Sequence, residues 1–101
     1  MVVIVDPHLK RTPSYPVYQD ATKRQILVKP SSGKGEYEAR CWPGDSVWVD
    51  FFNPDSWTWW KNLYQTKKLP DQFSWVESNE NVHIWNDMNE VTFFLLTFAY
   101  M

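Results

Sequence analysis

Two aspartates stand at the ends of apolar segments, where they could act together on a substrate. Asp6 follows a run of four β-branched residues, and Asp87 follows a second apolar run. Alternation along a strand puts Ile4 on the face of Asp6, and Trp85 on the face of Asp87. Ligands bind at the carboxyl ends of parallel strands. Two convergent carboxylates beside aromatic rings suit hydrolysis of a glycosidic bond, although spacing alone indicates it weakly.

The elements that would position these aspartates are two strands and the chain between them. Buried strands of the parallel-sheet type are predicted at 2–6 and 82–87. Asn53 and Pro54 are residue types that begin helices, so a helix is predicted from about 54 to 64. The order strand, long loop, helix, strand is a β-loop-α-β unit, whose two strands should be parallel.

Further local signals lie in the predicted helix and in the long loop. Trp57, Trp60 and Tyr64 recur at three and four residues, which predicts one apolar helical face that packs on the sheet. A hairpin is predicted from segments 25–29 and 36–40, with the intervening glycines in its turn. A tight turn and a short extended segment are predicted at 41–44 and 72–76.

Composition excludes several function classes. Ten Lys and Arg against twelve Asp and Glu give a net charge of −2, which argues against nucleic acid and against a polybasic membrane anchor. The apolar run at 91–101 is too short for a membrane helix, which needs about 20 residues. Cys41 is the only cysteine, so no internal disulfide is expected. No metal site is expected, because His8 and His83 lie far apart in sequence.

Four stretches of the sequence, in order, resemble the α-glucosidases of glycoside hydrolase family 31. Residues 84–90, Ile-Trp-Asn-Asp-Met-Asn-Glu, match the nucleophile signature, which in that family closes the fourth strand of a (β/α)8 barrel. Residues 5–10 resemble the end of the third barrel strand. Residues 41–44, Cys-Trp-Pro-Gly, resemble the W-P-G turn, and residues 50–60 resemble the start of a family helix.

This resemblance covers residues 2–90 and implies an α/β fold. The expected architecture is a partial (β/α)8 TIM barrel, a β-loop-α-β segment around the third and fourth barrel strands. A full barrel takes about 250 residues, so a fragment is expected. Residues 1–94 are expected to be a fragment of the catalytic barrel domain, and 95–101 a divergent apolar tail.

The resemblance also implies roles for individual residues. Asp87 is expected to be the nucleophile of a retaining exo-α-glucosidase, which attacks the anomeric carbon of a terminal α-linked glucose. Asp6 is expected to bind hydroxyls of that glucose. Trp42 matches the pocket tryptophan of the W-P-G turn, while Ile4 and Trp85 are expected to line the glucose pocket. Packing alone is the alternative for these three apolar residues.

Two polar residues are expected beside the site rather than in the reaction. His8 and Glu90 are assigned to supporting hydrogen bonds. The resemblance implies no cofactor, and an oligosaccharide substrate with a terminal glucose. The motifs look closest to the family branch that resides in the endoplasmic reticulum lumen and trims N-linked glycans. Pairing of the parent with a regulatory β subunit is left open.

Two alternatives remain at the level of the sequence. A non-catalytic carbohydrate-binding module would use the abundant tryptophan side chains, but has no need of an aspartate at a buried strand end in Trp-Asn-Asp-Met-Asn-Glu. A non-functional truncated product is the other alternative. The family's general acid/base lies downstream of the nucleophile and is not matched here, so the chain alone is expected to be inactive.

Overall fold

The computed structural model describes residues 1–64 and 79–89, which form two small sheets and two helices. The strands are β1 (Val2–Val5), β2 (His8–Lys10), β3 (Ala39–Cys41), β4 (Gly44–Trp48) and β5 (His83–Asn86), and the helices are α1 (Pro16–Lys23) and α2 (Pro54–Asn62). The extended segment predicted at 72–76 lies outside the described residues. Between β1 and α2, the chain makes an excursion that contains β2, α1, β3 and β4.

β1 and β5 form a parallel pair. All four residues of β1 are β-branched, and such side chains favour an extended backbone. The register pairs Val2 with His83 and Val5 with Asn86. The ladder continues past β5, since the Asp87 N–H donates to the Val5 carbonyl at 3.2 Å. The predicted parallel arrangement of the two strands is therefore confirmed.

The predicted burial of these strands is wrong for the described residues. Val5 is buried, but Ile4 is 63% exposed and Trp85 is 57% exposed. Every residue of β5 is exposed. The pair is only two strands wide, and a parallel sheet is buried only where other elements cover both of its faces. Among the described residues, much of its apolar surface is open to solvent.

An antiparallel sheet with the strand order β2-β4-β3 occupies the region predicted to be a long loop. β3 and β4 meet at the predicted tight turn, where Cys41 pairs with Gly44. Gly44 has a φ of +104°, which glycine adopts freely and other residues adopt only with strain. Trp42 and Pro43 form the tip of this hairpin, and Trp42 is 82% exposed.

The hairpin predicted between 25–29 and 36–40 does not form a strand ladder, although the Tyr37 N–H donates to the Val28 carbonyl at 2.7 Å and so joins the two segments at one point. Leu27 instead forms an antiparallel bridge with Val49, just beyond β4. This pairing buries Ile26, Leu27 and Val49 in the core. The segment Glu-Tyr-Glu-Ala-Arg at 36–40 offers no comparable apolar face, so hydrophobic burial decides the pairing.

α1 is an element that the sequence pattern does not predict. Its first turn contains Pro16, which is compatible with helix starts because its missing N–H has no intrahelical acceptor there. Val17 and Ala21 lie one turn apart and are both fully buried. The helix has only 8 residues, too few for the apolar period to stand out from the surrounding polar sequence.

α2 begins as predicted. The Asn53 side chain accepts a hydrogen bond from the Asp55 N–H at 3.0 Å, and Pro54 occupies the first turn. The cap satisfies one of the N–H groups that have no partner at a helix start. The helix ends at Asn62, two residues before the predicted end.

The buried face of α2 differs from the prediction at one residue. Trp59 and Leu63 are buried, and Trp60 and Tyr64 pack beside them. Trp57 is 61% exposed, and its indole N–H donates to a loop carbonyl rather than entering the core. The predicted apolar face is therefore right for Trp60 and Tyr64 and wrong for Trp57.

One core connects both helices with the antiparallel sheet. Its buried members are Leu9, Val17, Ala21, Ile26, Leu27, Val47, Val49, Trp59 and Leu63. The excursion between β1 and α2 is thus a packed unit, which gives β2 and the β3–β4 hairpin fixed positions beside the ends of β1 and β5.

Candidate active site

The two predicted carboxylates lie at the same end of the parallel pair. Asp6 follows β1 directly, and Asp87 follows β5 directly. The register pairs Val5 with Asn86, so both aspartates come one residue after paired positions. Their predicted placement at one end is confirmed. This is the end at which parallel α/β sheets bind ligands.

The loop after β5 orients the carboxylate of Asp87. The Met88 N–H donates to Asp87 Oδ1 at 2.8 Å. Met88 adopts a φ of +55°, which is uncommon for a residue other than glycine and turns the backbone sharply. The Trp42 indole N–H donates to the Met88 sulfur at 2.8 Å. The tip of the β3–β4 hairpin is thereby joined to the residue that follows Asp87.

His8 and Cys41 form a polar cluster beside Asp6. His8 Nε2 lies 3.8 Å from Asp6 Oδ2, and His8 Nδ1 lies 3.5 Å from Cys41 Sγ. The His8 ring packs against Trp48, with 6.2 Å between the ring centroids. The other oxygen of Asp6, Oδ1, is buried without a hydrogen-bond partner. A buried carboxylate oxygen with no donor is costly.

Burial controls the charge of His8. Desolvation lowers the pKa of His8 below its ordinary value, and the nearby Asp6 carboxylate only partly offsets this effect. The imidazole is therefore neutral at neutral pH. A neutral imidazole has one donor and one acceptor nitrogen, which matches a carboxylate on one side and a thiol on the other.

An open cleft of about 790 Å³ lies against this end of β1. Four of the residues predicted for the site line it, namely Ile4, Asp6, His8 and Trp42. Trp85 is the β5 residue paired with Ile4, and both side chains are exposed. Glu90 lies outside the described residues. The cleft thus brings four of the predicted site residues together, and Trp42 links it to Met88, the residue after Asp87.

The sequence carries a family signature over almost its whole length. The profile of the Glycosyl hydrolases family 31 TIM-barrel domain matches residues 1–99. The chain belongs to glycoside hydrolase family 31. Glucosidase 2 subunit alpha of Schizosaccharomyces pombe is 47% identical over 94 residues, which is 93% of this chain and 9% of the relative. Probable glucan 1,3-alpha-glucosidase of Arabidopsis thaliana is 40% identical over 94 residues, which is again 93% of this chain and 9% of the relative.

Solved structures of family 31 proteins show the same fold. The ER glucosidase II heterodimeric complex, of catalytic subunit and the binding domain of the regulatory subunit, aligns with a TM-score of 0.74 and 43% identity. That alignment covers 89% of this chain and 9% of the solved chain. The Family 31 alpha-glucosidase from Bacteroides thetaiotaomicron aligns with a TM-score of 0.55 and 36% identity, over 62% of this chain and 11% of that one.

Sequence reasoning missed one wall of the cleft in this family 31 chain. Lys10, Thr12, Ser14 and Tyr15 line the cleft beyond His8. Alternation could have found two of them, because His8, Lys10 and Thr12 are spaced by two residues and share a face in extended chain. The prolines and glycines between 10 and 40 favour a loop, which hides this short alternation in the sequence.

Membrane-spanning helices and metal-ligand clusters are both absent from the described part of this family 31 chain. Across 1–64 and 79–89, no helix is long and apolar enough to cross a membrane. In the same residues, no three His, Cys, Asp or Glu side chains gather as metal ligands.

Proposed function

We infer that this chain supplies the nucleophile-bearing segment of a retaining exo-α-glucosidase, with β1 and β5 as the third and fourth strands of its (β/α)8 barrel. One observation carries the inference. Asp87, within Trp-Asn-Asp-Met-Asn-Glu, follows a strand that pairs in parallel with the strand preceding a second carboxylate, Asp6. In TIM-barrel enzymes, the ends of the strands hold the reacting groups.

In the proposed reaction, Asp87 attacks the anomeric carbon of a terminal α-linked glucose. The bond to the leaving sugar oxygen breaks, a proton donor elsewhere in the barrel protonates that oxygen, and a glycosyl ester forms on Asp87. Water then cleaves the ester. The Met88 N–H on Oδ1 holds the Asp87 carboxylate while the other oxygen remains to attack. Asp6 accepts hydrogen bonds from glucose hydroxyls, and Trp42 stacks on a sugar ring.

Exposure of the aromatic residues supports their proposed roles. Trp42 is 82% exposed and Trp85 is 57% exposed, so neither ring is buried in the core. Ile4 pairs with Trp85 across the strands and offers an apolar wall on the same sheet face. Together they present flat, apolar surface beside two carboxylates, as the face of a sugar ring requires.

The proposed substrate class, compartment and partner are taken from the names of the similar proteins. Their names specify glucosidase 2 and glucan 1,3-alpha-glucosidase, so we propose an oligosaccharide with a terminal glucose as the substrate. The ER glucosidase II complex pairs a catalytic subunit with a regulatory one. We propose by the same similarity that the parent of this segment works in the endoplasmic reticulum lumen, paired with a regulatory β subunit.

A segment exchange tests this function. This chain replaces the segment that aligns with it in the Schizosaccharomyces pombe relative, and the purified chimera is assayed with an activated aryl α-glucoside. Asp87→Asn should lower kcat by about 10⁴-fold or more, because an amide is nearly isosteric but cannot form the glycosyl ester. The fold should remain, as checked by circular dichroism.

Asp45→Asn is the matched control. Asp45 lies in β4 and is exposed. Its replacement by asparagine makes the same change of carboxylate to amide away from the site. Its kcat should stay within about twofold of the unmodified chimera, as for most surface substitutions. An Asp87→Asn chimera that keeps a substantial fraction of its rate would show that Asp87 is not the nucleophile.

A further inference from the structure

The cleft is larger than the single glucose proposed to bind in it. Its volume is about 790 Å³, within the range of pockets that hold drug-sized ligands, and one glucose ring fills only a small part of that space. Lining residues without an assigned role follow His8 in the chain, namely Lys10, Thr12, Ser14 and Tyr15. Space and polar side chains therefore remain for a second part of the substrate.

The strand β2 sends alternate side chains to the cleft and to the core. His8 and Lys10 line the cleft, whereas Leu9 between them is buried in the core. Strand geometry puts Lys10 about 6.8 Å farther along the chain than His8, a step comparable to the length of one sugar ring. Thr12 continues the same alternation and also lines the cleft.

Lys10 brings an unpaired positive charge to this part of the cleft. The next residue, Arg11, is engaged elsewhere, with its Nε 2.6 Å from Glu38 Oε1. Lys10 is exposed, and within residues 1–64 and 79–89 it takes part in no ion pair. An ammonium group has three donors and no acceptor. Since the Asp6 carboxylate lines the same cleft and repels anions, the oxygens of a neutral polar ligand suit Lys10 best.

The chain after β2 is held in place by local hydrogen bonds. The Thr12 N–H donates to the Lys10 carbonyl at 3.1 Å, and the Tyr15 N–H donates to the Thr12 carbonyl at 3.0 Å. Tyr15 also packs against the core. A wall that is already ordered loses little freedom when a ligand binds to it.

Two hydroxyl groups of this wall keep most of their hydrogen-bonding capacity. Thr12 Oγ1 and Ser14 Oγ lie 3.2 Å apart, so one of them donates to the other. Each hydroxyl has one donor and two acceptor positions, and this contact uses one donor and one acceptor of the pair. The pair can therefore still donate once and accept several times. Hydroxyl groups of a sugar, which both donate and accept, match this capacity.

We propose that Lys10, Thr12 and Ser14 form a subsite for the sugar on the leaving side of the scissile bond. The substrate class is a neutral sugar residue that carries the terminal glucose on one of its hydroxyls. The proposal rests on the proposed function: an exo-acting enzyme removes the terminal glucose, so any second sugar in the cleft lies on the leaving side. The Lys10 ammonium donates to oxygens of that sugar, and the two hydroxyls exchange hydrogen bonds with its hydroxyl groups.

Two substrates with the same glucose and different leaving groups test the subsite. The chimera is assayed with an α-1,3-linked glucose disaccharide and with the aryl α-glucoside. The ratio kcat/KM covers the steps up to formation of the glycosyl ester, during which the leaving group is still bound. Lys10→Met should lower kcat/KM about tenfold for the disaccharide and less than about threefold for the aryl glucoside, as for loss of one hydrogen bond to a charged group.

Conservative variants separate the ammonium and the hydroxyl from the bulk of the side chains. Lys10→Arg keeps a cation with donors, so it should recover part of the loss on the disaccharide. Thr12→Val removes the hydroxyl at nearly constant shape and should cost about threefold on the disaccharide, whereas Thr12→Ser should cost less. Lys34→Met is the matched control, because Lys34 is exposed in the loop between α1 and β3. It should change neither substrate by more than about twofold.

The failures of the two proposals differ. Equal costs of Lys10→Met on both substrates, or no cost on the disaccharide, would overturn the subsite while leaving the enzyme function intact. A Lys10→Met cost that is larger for an aryl glucoside with a carboxylate on its leaving ring would show recognition of an anion, and would overturn the assignment to a neutral sugar. A folded, unmodified chimera that hydrolyses neither substrate would contradict the proposed function, and this inference with it.

Discussion

At the scale of single residues, Asp87 and Trp42 are joined through Met88. The Met88 N–H holds Asp87 Oδ1, and the Trp42 indole holds the Met88 sulfur. A single loop residue in a left-handed conformation therefore connects the proposed nucleophile with the proposed sugar platform. This contact fixes the hairpin tip relative to Asp87, so the residue proposed to stack on substrate also positions the loop.

Replacement of Trp42 separates these two tasks. Trp42→Ala in the chimera should raise KM about tenfold with a smaller change in kcat, because stacking is made in ground and transition states alike. Trp42→Phe keeps a ring and removes the N–H that Met88 accepts, so its KM should rise less. Steady-state kinetics with the aryl α-glucoside measure both. A fall in kcat with unchanged KM in Trp42→Ala would contradict the stacking role.

His8 should make stability depend on pH in a predictable direction. Burial lowers its pKa in the folded chain below the ordinary value of 6.5, so the unfolded state binds the proton first as pH falls. Asp6 and Cys41 are the titratable groups that face the ring. The stabilising contribution is complete above pH 6.5 and is lost as pH falls through 6.5 toward the folded pKa.

Thermal unfolding of the chimera between pH 7.5 and 5 checks this direction. The difference in Tm between the unmodified chimera and His8→Gln should shrink as pH falls, because glutamine does not titrate. A difference that stays constant, or that grows on acidification, would contradict the buried neutral imidazole.

At the scale of elements, the buried side chain of Trp59 connects α2 with the excursion. Trp59 packs in the core, and its indole N–H donates to Asp20 Oδ2 of α1 at 2.7 Å. Asp20 also accepts a hydrogen bond from Arg24 Nε at 3.0 Å, so the carboxylate binds both Trp59 of α2 and Arg24 at the end of α1. This connection holds α2 against the unit that carries His8 and Trp42.

Trp59→Ala should therefore destabilise the segment, and Trp57→Ala should not. Removing a buried tryptophan costs about 3–5 kcal/mol, whereas the exposed Trp57 should cost less than about 1 kcal/mol. Denaturant unfolding of the two chimeras, followed by hydrogen exchange of residues in the excursion, compares them directly. Equal losses of stability would show that the core does not centre on Trp59.

The elements also show how far the sequence alone could lead. The parallel pair, the cap at Asn53 and the carboxylates at one end were predictable, because β-branched runs and capping residues act locally. α1 and the bridge of Leu27 to Val49 were not, since both depend on burial against distant residues. His8 was predicted as a supporting residue, but its place between Asp6 and Cys41 required the fold.

At the scale of the whole molecule, the chain spans 9% of the length of its S. pombe relative, and no complete barrel is contained in it. Retention needs two carboxyl groups about 5–5.5 Å apart, one to attack and one to protonate the leaving oxygen. Asp87 is the proposed attacker. Asp6 is assigned to hydroxyl binding and Glu90 to support, so this chain is expected to lack the proton donor.

Expressed alone, the 101 residues should therefore show no hydrolysis of an aryl α-glucoside. The two-stranded parallel sheet also leaves edges and apolar faces open in the described part of the chain, and open strand edges favour aggregation. Sedimentation velocity should show self-association, and the assay should be run on the monodisperse fraction. Hydrolysis that Asp87→Asn abolishes would place a second catalytic acid within this chain.

The most direct measurement of the central claim is to trap the covalent intermediate on the chimera. A fluorinated α-glucosyl fluoride has a good leaving group and a ring fluorine that slows hydrolysis of the ester, so the glycosyl-enzyme should accumulate. Intact mass should increase by one fluoroglucosyl group, and peptide mapping should place that group on Asp87. Asp45→Asn should label normally and Asp87→Asn should not. A label on another carboxylate, or turnover of the reagent without any label, would contradict the assignment of Asp87 as the nucleophile.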